Sequence, residues 1–122
     1  MEPPCSIALM STQDAGARDD FDAYREHRPD ALVWLQGWFA ARCDGDWEHQ
    51  YGVRIDTLDN PGWMVRIDLV GTELAGRAFE RQELHRSEDD WVVAWIADGV
   101  WEAACGPLNL GEALHRFREW AM

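Results

Sequence analysis

Along the chain the apolar positions keep two periods, and the switch between them lays out the fold. Leu32, Leu35, Trp38 and Phe39, with Trp34 alongside, recur every three or four residues, which predicts a helix from about Ala31 to Arg42 with an aromatic face. Asp30 suits its N-cap, and Gly45 offers the positive φ that ends helices. The period then becomes two. Tyr51, Val53, Ile55 and Thr57 alternate with Gly52, Arg54 and Asp56 in a half-buried strand. Leu58 to Gly62 is a turn, because proline holds φ and glycine permits the reversal, and Trp63, Val65, Ile67 and Leu69 alternate on the return strand. Arg54 with Asp68, or Asp56 with Arg66, would pair across the exposed face.

Gly71 to Gly76 reads as a connection, and Ala78 to Arg86 as a more polar strand suited to a sheet edge. After a turn at Ser87 to Asp90, Trp91, Val93 and Trp95 alternate with Val92, Ala94 and Ile96. Both sets are apolar, which predicts a central strand. Asp98-Gly99 is a hairpin signal returning the chain as Val100 to Cys105. Asn109 and Glu112 form a capping box for a closing helix whose core stripe is Leu110, Ala113, Leu114, Phe117 and Trp120. The expected fold is α+β: an N-terminal helix, about five mostly antiparallel strands in a meander, and a C-terminal helix packed on the sheet. Residues 1–28 lack a sustained apolar period and read as a flexible tail, leaving 29–122 as one domain.

Composition adds direction. Asp and Glu total 23 against 11 basic residues, all arginine, for a formal net charge of -12. Such a field repels phosphate backbones and attracts a basic protein, so nucleic acid is not an expected partner. Arginine without lysine reads as GC-rich coding in a bacterium. Cys5, Cys43 and Cys105 form no close pair, so no disulfide framework is expected and a reducing compartment is the simpler assumption. No signal-peptide pattern or membrane-length apolar run is visible, and the expected location is the cytoplasm.

The densest chemistry is Cys43-Asp44-Gly45-Asp46-Trp47-Glu48-His49. A cysteine nucleophile needs a thiolate, but Cys43 follows a helix C-terminus among carboxylates, and both raise a thiol pKa; a buried, inert thiol is expected. The alternative is a small metal-dependent enzyme using Asp44, Asp46, Glu48 and His49. However, residue 55 is isoleucine where a calcium loop would place glutamate, and no phosphate loop or nucleophile elbow accompanies the cluster. No catalytic residue, cofactor or metal is therefore assigned, and the chain is expected not to be an enzyme. A structural role has Gly45 cap the helix, Trp47 tuck beneath it, and Glu48 and His49 brace the hairpin. A binding role has the same acids present a negative patch on a loop. Trp47, and Trp63 beside the Asp59–Gly62 turn, are candidate interface anchors.

Trp34-Leu35-Gln36-Gly37-Trp38-Phe39, Cys43 to His49, Tyr51-Gly52 and Thr57-Leu58-Asp59-Asn60-Pro61-Gly62-Trp63, with Asp90-Trp91 and the Asn109-Leu110 helix carrying Phe117 and Trp120, resemble the immunity protein 53 family of bacterial polymorphic toxin systems. The resemblance runs from about residue 30 to 121. It implies a cytoplasmic antidote encoded beside a toxin, binding the toxin's active domain and occluding it. It carries over no catalytic residues. A basic toxin, such as a nuclease, is the expected partner. The residues expected to meet it are Asp44, Asp46, Glu48, Asp59, Asn60 and Trp63. Trp34, Trp38, Trp47, His49, Trp91, Trp95 and Trp120 are expected to be structural. Oligomeric state stays open, with the strand near Ala78–Arg86 available for pairing.

Overall fold

Helix α1 (Ala31–Arg42) begins the part of the computed structural model that can be described, residues 30–122; the tail expected over 1–28, with Cys5 and His27, lies outside the described residues. Leu35 and Trp38 are buried with Ala31, and Trp34 and Phe39 pack half-buried beside them, whereas Leu32, which the apolar spacing placed in the same stripe, is 47% exposed. The Cys43 N–H closes on the Ala40 carbonyl at 3.2 Å, and Gly45, at φ +98°, turns the chain. A one-turn helix that periodicity does not reveal, α2 (Trp47–Gln50), follows. Next come β1 (Val53–Leu58), β2 (Gly62–Asp68), β3 (Gln82–Ser87), β4 (Asp90–Ala97), β5 (Val100–Cys105) and α3 (Leu110–Ala121).

The strands form one antiparallel sheet in the order β1-β2-β5-β4-β3. The expected meander holds from β3 to β5 and is broken once, because β2 pairs with β5 and the chain crosses to the far edge before β3 begins. Polarity explains the order. Strand β3 exposes Glu83, His85 and Arg86, whereas β5 buries Trp101, Ala103 and Cys105 completely. The middle place thus goes to β5, and β4 lies one position off centre. Close contact of β2 with β5 requires Gly62, since a Cβ there would lie 2.3 Å from the Cys105 carbonyl oxygen. Asp98 and Gly99, at φ 54° and 78°, make the expected tight hairpin between β4 and β5.

Alternation puts Val65, Ile67, Val92, Ala94, Trp101, Ala103 and Cys105 on the face where α1 and α3 pack. Phe117 is the hub, edge-on to Trp34, Trp38 and Trp101 with ring centroids 5.9, 5.3 and 5.2 Å away. The opposite face carries Arg54, Asp56, Met64, Arg66, Val93, Trp95 and Glu102, and no described helix covers it. Both expected cross-strand pairs form there, Arg54 to Asp68 at 3.6 Å and Arg66 to Asp56 at 3.9 Å.

The capping box is a correction. The Asn109 carbonyl accepts from the Ala113 N–H at 2.9 Å, but its side chain makes no cap bond. Instead its Oδ1 accepts the Trp91 N–H at 3.3 Å, and its Nδ2 donates to Asp90 at 2.8 Å and Glu112 at 3.1 Å. Strand β4 and the first turn of α3 bring these polar partners to a buried amide that must be satisfied, and they outcompete the backbone N–H groups of the helix end. No helix among the described residues is long and apolar enough to cross a membrane.

Candidate functional site

The acidic loop is a self-capping turn. Asp44 Oδ1 accepts the N–H groups of Asp46 at 2.9 Å and Trp47 at 3.0 Å. Glu48 reaches back to the N–H groups of Asp44 at 2.9 Å and Gly45 at 2.8 Å. The N–H groups of Trp47 and Asp46 hold the Asp44 carboxyl below its usual range; those of Glu48 itself, Asp44 and Gly45 do the same for Glu48. His49 is exposed, and the bonds of Glu48 close the turn on itself instead of bracing the first hairpin. Trp47 is not an interface anchor. Only 7% exposed, it packs edge-on to Trp38 and donates its indole N–H to the Val70 carbonyl at 2.7 Å.

Cys43 is exposed rather than buried as expected, because the helix ends just before it and the chain turns outward. Desolvation and the nearby Glu48 and Asp44 carboxylates push its thiol up, the direction expected from its surroundings. Of the carboxylates that a metal reading would need, Asp44 and Glu48 are turned onto backbone N–H groups of their own loop. Among the described residues, no group of three or more His, Cys, Asp and Glu side chains is arranged to hold a metal ion.

Asp59, Asn60 and Trp63 stand apart from this loop. They lie at the other end of β1, a strand of 6 residues, which at about 3.3 Å per residue separates the two groups by roughly 20 Å. At that end three connections converge. The Asp59–Pro61 turn joins β1 to β2, the Trp63 indole donates to the Pro107 carbonyl at 2.9 Å, and Gly106 donates its N–H to the Trp91 carbonyl at 2.9 Å. A Cβ on Gly106 would come within 2.5 Å of the Asp89 carbonyl oxygen, which shows how closely the β5–α3 and β3–β4 connections meet. Their surface is acidic with apolar points: Asp59, Glu88 and Asp89 are exposed, Trp63 is half-buried, and Leu108 is 90% exposed.

Beneath this end, ion pairs and hydrogen bonds fasten β3 to α3. Arg86 bonds to both carboxylate oxygens of Asp90, at 3.0 and 3.1 Å, and pairs with Glu112. Arg116 in turn holds Glu112 at 2.9 Å and the Gln82 side-chain oxygen at 2.8 Å. The Arg86 and Asn109 hydrogen bonds lower the Asp90 pKa. Burial would raise that of Glu112, but bonds from Arg86, Arg116 and Asn109 outweigh it and lower the pKa. These acids are balanced by arginine, which leaves Asp59, Glu88 and Asp89 as the outward negative charges of the end.

The remaining structural tryptophans divide by face. Trp38 is buried and donates to Glu73 at 3.2 Å; Trp120 donates to the Ala78 carbonyl at 2.8 Å; Trp34 packs on Phe117. Trp91 and Trp95 are half-buried on the face opposite the helices, Trp91 stacked against His85 and Trp95 under the Arg81 guanidinium at 5.5 Å. Leu108, Glu88 and Asp89 were not candidates from sequence. Their only signal was membership of turn segments, and which turns share an end depends on strand order.

Comparison with curated proteins and with solved structures gave no match. The family model described as Immunity protein 53 matches residues 32–122, all but the first residues of the described region. That span contains α1, the self-capping turn, the whole sheet and α3, and it makes the chain a member of the immunity protein 53 family.

Proposed function

We propose that this protein is a cytoplasmic immunity protein that binds a cognate toxin domain and neutralises it by occlusion. The observation that carries this reading is the family match over residues 32–122; membership implies a toxin partner in general. The net charge of -12 supports a basic toxin domain, such as a nuclease, because opposite fields speed encounter and suppress wrong partners. The protein acts by covering its partner and not by catalysis.

The contact region we propose is the end formed by Asp59, Asn60 and Trp63 with Glu88, Asp89 and Leu108. It combines unbalanced carboxylates with exposed apolar groups, the combination that steers a partner and then holds it. Asp44, Asp46 and Glu48, roughly 20 Å away along β1, contribute to the long-range field and lie outside the central contact.

The test is co-expression with the product of the neighbouring reading frame, followed by binding kinetics on the purified pair. The chain restores growth and forms a complex. Reversing Asp59, Glu88 and Asp89 to Arg together slows association by roughly tenfold or more at low salt, since steering scales with local charge. Unchanged kinetics in a folded variant would remove the turn end as the contact. Growth that is not restored would remove the function.

A further inference from the structure

Among the described residues, the two edges of the sheet are built differently. Strand β3 carries a register shift between His85 and Ser87 and exposes Glu83, His85 and Arg86, features that turn away an incoming strand. Strand β1 runs against β2 without a shift, from Val53 opposite Ile67 to Leu58 opposite Gly62, and it has neither proline nor bulge. The Asp68 N–H donates to the Gly52 carbonyl at 3.0 Å, so these two residues face each other as a hydrogen-bonded pair. Because such pairs alternate, Arg54, Asp56 and Leu58 aim their backbone groups at β2, while Val53, Ile55 and Thr57 aim theirs outward. The side chains sort the same way. Val53 and Ile55 line a groove of about 250 Å³ with Leu35 and Phe39 of α1, whereas Arg54 and Asp56 are exposed on the opposite face.

Those placements make Val53-Arg54-Ile55-Asp56-Thr57 complementary to itself. When two copies run antiparallel with Ile55 opposite Ile55, Val53 falls opposite Thr57 and Arg54 opposite Asp56, in both directions. The outward N–H and C=O groups of Val53, Ile55 and Thr57 then all find partners, opposite charges meet on one face, and the two apolar grooves adjoin on the other. We propose that the β1 edge is a homodimer interface, joining two sheets through antiparallel β1–β1 pairing centred on Ile55. A strand from an unrelated protein would need the same charge order to fit, and the second copy supplies it. This inference stands apart from the toxin-binding proposal. Two copies of net charge -12 repel each other, so added salt strengthens the dimer, the opposite of its effect on association with a basic toxin.

Sedimentation of the full chain from micromolar to millimolar concentration, at low and high salt, tests the proposal. The expected result is a concentration-dependent rise to twice the chain mass, favoured by salt. R54D and D56R each place like charges opposite one another and weaken the dimer by roughly tenfold. An equimolar mixture of R54D and D56R chains regains the dimer, because each reversed charge then faces its opposite. Mixing distinguishes strand pairing from a general loss of stability, and circular dichroism checks that each variant is folded. A wild-type chain that keeps the mass of one copy throughout would overturn the proposal. So would folded single variants that dimerise as well as wild type, or a mixture no better than its components.

Discussion

Trp95 and Trp101 lie on adjoining strands yet face opposite sides of the sheet. Trp101 is 0% exposed against Phe117 and Phe79, and its indole N–H has no partner among the described residues. The ring's burial must therefore outweigh a desolvated donor. Trp101→Ala is expected to cost about 3–5 kcal/mol in urea unfolding, the range for a large buried side chain. Trp95→Ala, half-buried on the face opposite the helices, is expected to cost about 1–2 kcal/mol, within the ordinary range for single substitutions. The acidic loop separates its residues in the same way. Asp44→Asn weakens the acceptor of two backbone N–H groups and lowers the melting temperature, whereas Asp46→Asn removes a carboxylate with no such duty and leaves it unchanged. Equal melting temperatures for the two variants would contradict the self-capping turn.

Among the elements, the two long helices, the first hairpin and the Asp98-Gly99 turn were legible because their signals are local: a period or a pair of turn residues. Strand order was not. Trp91 to Ile96 is apolar on both faces, which suits a central strand or one uncovered face equally well. Only the packing of both long helices on one side decides. The clamp of Arg86, Asp90, Asn109, Glu112 and Arg116 was hidden for the same reason, since it joins segments distant in sequence. Its carboxylates predict a pH dependence. Asp90 and Glu112 have lowered pKa values in the fold, so their contribution is complete above the unfolded carboxylate range, about pH 4, and is lost as pH falls through the folded values. Melting temperature is expected to fall with acidification below that range, and to fall less steeply in Arg86→Met, which removes the main partner of Asp90. Parallel profiles for the two proteins would show that the clamp is not linked to folding.

At the scale of the whole molecule, acidity is the property that sequence and structure share, and the structure distributes it. Some carboxylates cap a turn, some are balanced in the β3–α3 clamp, and Asp59, Glu88 and Asp89 are left outward at one end of the sheet. Of the six residues expected from sequence to meet a partner, Asp59, Asn60 and Trp63 share that end. Asp44, Asp46 and Glu48 do not, because a strand's length intervenes. No sequence-local signal could have grouped Leu108 with Trp63; the β2–β5 pairing does so. The most direct test of the immunity reading is growth of cells expressing the neighbouring toxin with and without this chain. Full rescue by the wild type is expected, with a complex recoverable at low salt and weakened at high salt. Continued toxicity in cells that accumulate the folded chain would contradict it.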